Sequence, residues 1–143
     1  MRNVNAKSIF SGTDSCLFMD DEYMGEAVSL EAKCKKNFED VQRCENPTKQ
    51  KRFISAEITG TIKFHKVDSR ILKAETTALN EGKQATYTVN SKSYNKNTGK
   101  TERITLYDVE IEEFDVGSWE AGKLTDREYP FHASGYSPIE YAD

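Results

Sequence analysis

Residues 53–82, FISAEITGTIKFHKVDSRILKAETTALNEG, decide the fold. From 54 to 64 the even positions are Ile54, Ala56, Ile58, Gly60, Ile62 and Phe64; the odd ones are Ser55, Glu57, Thr59, Thr61 and Lys63. Side chains alternate faces along a strand, so this stretch has one apolar face and one polar face. At ~3.3 Å per residue it spans roughly 35 Å, whereas the mean strand is about 5–6 residues. A strand that long with a wet face needs a large sheet, and the wet face must meet water. A helix follows at once: Asp68 or Ser69 caps its start, Ile71, Leu72, Ala74, Ala78 and Leu79 form one apolar stripe, and Gly82 sits where a left-handed residue ends it. One such helix lids one face of a sheet and cannot form a core alone.

Outward from this stretch the pattern stays β. Ser15–Met19, the turn Asp20-Asp21 and Glu22–Met24 read as a small hairpin, with Gly25 as a break. Val28, Leu30, Ala32 and Cys34 alternate with Ser29, Glu31, Lys33 and Lys35, a second long strand with Cys34 on its apolar, buried side. Residues 37–52, NFEDVQRCENPTKQKR, lack period two and contain the turn signal Asn46-Pro47. They read as a long projecting loop, with Phe38 and Val41 as its apolar grip. Residues 84–94 alternate again, and 95–100 form a hairpin loop with Gly99 at positive φ. Residues 103–116 return, and their apolar phase slips twice, after Leu106 and after Ile111, which predicts bulges or a bend. Residues 126–136 are the last strand, where Pro130 argues for an edge or a bulge, and a short anionic tail follows. Residues 1–13 are a polar arm that would fray unless the pair Ile9-Phe10 anchors it on a neighbour. The expectation is a mainly β sandwich or barrel of six or seven strands with one helix.

At 143 residues the chain is one domain, 1–143, able to bury a core without disulfides. Cys16, Cys34 and Cys44 are odd in number and form no CxxC, and the polar N-terminus is not a signal peptide; together these point to free thiols in a reducing cytoplasm. No apolar run approaches the ~20 residues of a membrane span, so no membrane anchor is expected. The net charge of −4 is unevenly spread: residues 104–143 carry ten acidic and two basic side chains. That is either a solvated strand face or a surface that repels polyanions and meets a basic patch on another copy.

Catalytic signatures are missing. No GxSxG, P-loop, GxGxxG or HExxH is present, and neither His65 nor His132 lies near a cysteine in sequence. Glu110 and Glu112 share a strand face as glycosidase carboxylates can, but two glutamates on an exposed face far more often serve solubility. No enzymatic activity, cofactor or metal is expected, and no aromatic–basic platform for nucleic acid is seen.

The order of elements, with the stretches Val28–Lys33, Thr59-Gly60-Thr61-Ile62 and its helix, Val109-Glu110-Ile111 leading to Phe114-Asp115-Val116, and Phe131-His132-Ala133-Ser134-Gly135, resembles the tail tube proteins of contractile-tailed bacteriophages and phage-tail-like particles of the PBSX-prophage type. The resemblance covers nearly the whole chain. It implies a fold that closes into a β-barrel on oligomerisation, with hexameric rings stacked into a hollow tube. It also implies a tail sheath, baseplate and terminator proteins as partners, assembly in a bacterial cytoplasm, and phage DNA passing down the lumen without specific binding. On that reading Glu57, Thr59, Thr61, Lys63, Glu110 and Glu112 line the lumen. Ile9, Phe10, Phe38, Val41, Glu45, Asn46 and Pro47 make contacts between rings. A type VI secretion tube protein is the alternative within the fold; a small-molecule-binding β-barrel is the alternative outside it, disfavoured by the regular polar faces.

Overall fold

The computed structural model describes residues 5–143, and the first four residues of the expected arm lie outside the described residues. Eight strands and one helix follow in order: β1 Ser15–Met19, β2 Glu22–Tyr23, β3 Ala27–Arg43, β4 Asn46–His65, α1 Arg70–Asn80, β5 Tyr87–Tyr94, β6 Thr101–Ile111, β7 Asp126–Ala133 and β8 Gly135–Glu140. They make one antiparallel sheet in the order β2-β1-β5-β6-β7-β4-β3, with β8 also on β6. β6 is where the sheet divides. Arg103–Tyr107 pair with β8, whereas Glu110 and Ile111 pair with β7. The sheet curls around one core built from Leu17, Met19, Met24, Ile62, Phe64, Ile71, Tyr87, Val89, Leu106, Val109, Tyr129 and Phe131. Among the described residues it does not close on itself, and β3 is left as a long free edge.

Local chemistry explains the joints. Asp20 and Asp21 have φ of 50° and 65°, the left-handed pair of a tight two-residue hairpin. In β6, Asp108 (φ 50°) is the extra residue of a bulge where Tyr87 pairs with Val109 and Val89 with Leu106. This is the first predicted phase slip. The second is no bulge, because β6 ends at Ile111. Pro130 lies at that same end: its carbonyl accepts from Glu112 N–H, and beyond Glu112 β7 has no neighbour on that side among the described residues, so its missing donor falls at an edge. The last strand is broken near Ser134 into β7 and β8, and part of the expected tail, Ser137–Glu140, is strand.

The helix differs from its predicted stripe. Ile71 is buried and Leu72 and Ala78 are half-buried, but Ala74 and Leu79 face solvent and Glu75 is buried in their place. Tyr87 Oη donates to Glu75 Oε1 at 2.9 Å, so a buried polar contact, invisible to a hydrophobic pattern, ties the helix to β5. Burial pushes the Glu75 carboxyl above its usual range and raises the Tyr87 hydroxyl as well, chiefly through desolvation. Ser69 is the first cap residue but its side chain makes no cap bond; Asp68 Oδ1 accepts from Arg70 N–H instead. Gly82, at φ 67°, ends the helix as expected.

The largest departure is at 37–52. This is no loop. It is the outer end of a ribbon formed by β3 and β4, paired from Ala27 with Phe64 to Arg43 with Asn46 and turned by Cys44-Glu45, two residues earlier than Asn46-Pro47 implies. Glu45 takes φ of 63° there. Period two is lost because the ladder slips between Asn37 and Phe38 and again between Val41 and Arg43, and Pro47 falls in the second slip.

Candidate functional site

Two surfaces stand out, and both belong to β4. The first is its wet face. Thr59 pairs with His132, Thr61 with Pro130 and Lys63 with Glu128, while His132 pairs in turn with Glu110. Directly opposed residues share a face. The two sets expected separately, Glu57–Lys63 and Glu110 with Glu112, therefore lie on one polar surface spanning β4, β7 and the end of β6. On the other side of β4 it runs on through Ser29, Glu31, Lys33 and Lys35 of β3. Glu57 and Thr59 are exposed, and Thr61, Lys63 and Glu110 half-buried. Asn37 Nδ2 donates to Ser55 Oγ at 3.1 Å, Lys33 Nζ lies 2.9 Å from Glu31, and Lys63 Nζ lies 3.9 Å from Glu128.

His132 is the link that sequence reading missed; nothing in the pattern distinguishes it from a surface histidine. Its Nδ1 is 3.0 Å from Glu112 Oε1 and its Nε2 is 2.8 Å from Glu110 Oε2. Only the imidazolium carries a proton on both nitrogens, so this geometry suits the charged ring. The Glu112 hydrogen bond, with Glu110 behind it, raises the His132 pKa above the usual value against a smaller opposing effect of burial. Both ring nitrogens are taken by carboxylates, which leaves no lone pair to act as a general base. The cluster is an electrostatic staple across the β6–β7 junction rather than an acid–base pair.

The second surface is the outer ribbon. Beyond Ile58, β4 pairs with β3 alone. From 34 to 57 every side chain that is described is exposed except half-buried Asn37. Cys34, expected in the core, is exposed as well, because none of the described residues covers its face. The apolar face of the organising strand is thus buried only at Ile62 and Phe64, while Ile54 remains 54% exposed. Phe38 and Phe53 pack edge to face, centroids 6.0 Å apart, yet are 50% and 52% exposed. Val41, Glu45 and Pro47 are exposed on the same ribbon, and the Asn46 side chain lies outside the described residues. A two-stranded ribbon is at best marginal alone in water. In the arm, Ile9 is exposed and Phe10 half-buried. Buried Asn95 holds this segment by donating from Nδ2 to the Lys7 carbonyl at 3.1 Å.

Comparison with known proteins bears on these surfaces. The family model described as phage tail tube protein matches residues 2–140. The phage-like element PBSX protein XkdM of Bacillus subtilis (strain 168) is 28% identical over 130 residues, covering 90% of this chain and 88% of that protein. Among solved structures, the PVC sheath-tube complex of an extracellular contractile injection system in its extended state superposes with a TM-score of 0.76 at 8% identity, covering 95% of each chain. The tube terminating cap of the anti-feeding prophage superposes at 0.70 with 9% identity, covering 98% of this chain and 97% of that one.

Proposed function

Since the chain belongs to the phage tail tube protein family, we propose that it is the repeating subunit of the inner tube of a contractile tail or tail-like particle. Six copies form a ring, rings stack, and the wet face of β3, β4, β7 and the end of β6 lines the lumen. The observation that carries this reading is the open sheet with its uncovered ribbon. A free strand edge as long as β3 invites pairing with another chain, and Lys33, Lys35 and Lys36 along it guard against indiscriminate pairing. Closing six sheets into one barrel removes the edges and needs a head-to-tail contact repeated about an axis. The wet face stays hydrated inside the channel, while Phe38, Phe53 and Ile54 are covered by neighbouring copies. A sheath around the tube, a terminator and a baseplate are the partners, and DNA passes through without being bound. Among the described residues no helix is long and apolar enough to cross a membrane.

Negative-stain electron microscopy of the purified chain tests the proposal. Rings or tubes with sixfold end views are expected. Monodisperse single subunits at high protein concentration would refute it.

A further inference from the structure

The ribbon and the acidic end of the chain sit at opposite ends of one strand and complement each other. Residues 33–52 carry seven basic and three acidic side chains, nearly all exposed, beside the exposed rings of Phe38 and Phe53. Glu39 and Asp40 lie opposite Arg52 and Lys51 in the ladder, Lys33 is ion-paired with Glu31 and Lys35 lies opposite Glu57, so the excess left toward the tip is basic: Lys36, Arg43 and Lys49 against Glu45. At the other end of β4 is a cleft lined by Thr61, Lys63, Glu113, Phe114, Asp115, Asp126, Glu128 and Pro130. The surrounding stretch 112–128 holds six acidic and two basic side chains. Within it Val116, Trp119 and Leu124 are 80%, 83% and 87% exposed, a large apolar offer for one short loop. Lys63, His65 and Arg127 offset Glu128, Asp126 and Asp115 only in part, and none of these pairs includes Glu113.

Resting on the tube reading, we infer that the basic, aromatic tip of the ribbon docks into this acidic, apolar cleft on a second copy of the chain. The geometry makes the partner another molecule. Residues 46 and 61 are separated by roughly 50 Å of nearly straight strand at ~3.3 Å per residue, so the tip cannot fold back on its own cleft. Knob and socket at opposite ends of one strand give a contact that repeats in a single direction, as ring stacking needs, and not a closed two-fold pair. Charge complementarity supplies orientation and speed of encounter, and the apolar groups supply burial.

Two experiments test this. In the first, Arg43→Glu with Lys49→Glu, and separately Glu113→Lys with Glu128→Lys, are each expected to abolish tubes while leaving the subunit's circular dichroism and any isolated rings intact. All four changes together are expected to restore tubes. Tubes of normal length from either pair alone, or no rescue by the combination, overturn the inference. The second needs no charge change at the tip, because Cys44 already sits in the turn. With Cys16→Ser, Cys34→Ser and Glu113→Cys, oxidation is expected to give a ladder of covalent multimers; dimers only, or no adduct, overturn the contact. If the unaltered chain forms neither rings nor tubes, the tube reading itself falls, a result distinguishable from tubes that survive charge reversal.

Discussion

At the residue scale, two positions carry more than their types suggest. Gly60 is the one position of the long apolar alternation without a side chain, and on a strand interior glycine is normally a cost. A Cβ built there would lie 1.9 Å from the Glu31 carbonyl oxygen, inside the β3–β4 pairing. Gly60→Ala must therefore push the strands apart, and the expected loss of stability, measured by urea unfolding, is about 2–4 kcal/mol; an unchanged midpoint would mean the ladder yields freely. His132 makes a pH prediction. Its folded pKa is raised over the unfolded one, so its contribution to stability is fully present below the unfolded value near 6.5 and is lost as pH rises through the folded value. The melting temperature of the unaltered chain relative to His132→Gln should thus fall on going from pH 6 to pH 9. Parallel curves would remove the staple. Neither role could be read from sequence: a glycine in a strand does not announce a close backbone approach, and a histidine's partners come from the end of β6 and the residue just past it, twenty-two and twenty positions away.

At the scale of elements, what was legible was whatever rests on local periodicity. The hairpin at Asp20-Asp21, the helix stop at Gly82, the bulge at Asp108 and the alternation of β4, β5 and β7 all follow from side-chain parity and turn chemistry. Residues 37–52 were illegible for a physical reason. Their strands are exposed on both faces, so no core imposes an apolar–polar alternation, and two register slips scramble what remains. The helix stripe failed at Glu75 for the opposite reason, since a carboxyl was buried by pairing with a tyrosine from another strand. The ribbon yields a prediction. It contributes no residue to the core beyond its base, so replacing Glu39–Arg52 by Asn-Gly should leave the subunit folded, shifting its melting temperature by less than about 4 °C, the effect of ~1 kcal/mol in a domain of this size. Assembly should be lost. A subunit that unfolds on trimming would make the ribbon a part of the fold rather than a surface kept for neighbours.

At the scale of the whole molecule, the wet face fixes what a lumen would present to DNA. The face carries Glu31, Glu57, Glu110, Glu112 and Glu128 against Lys33, Lys35 and Lys63, and a charged His132 offsets one of the two glutamates it holds. A small acidic excess with every lysine near a carboxylate suits a conduit, because basic groups left free would bind phosphates through counterion release and brake a moving duplex. Glu110 and Glu112 are poor places to test this, since changing them also unpairs His132. Glu57 is better: it is exposed and lies outside the cleft that the ribbon tip is inferred to enter. In DNA-filled particles built from Glu57→Lys subunits, the wall of every ring gains two positive charges per copy in net terms. Subunit folding should hold, as exposed strand positions usually change stability by under about 0.5 kcal/mol. DNA ejection should slow, most steeply at low ionic strength, where the Debye length grows from about 8 Å at physiological salt to about 30 Å at 0.01 M and the added charges act across the channel. Ejection at the unaltered rate in low salt would place this face away from the channel and require another surface of the sheet to line it.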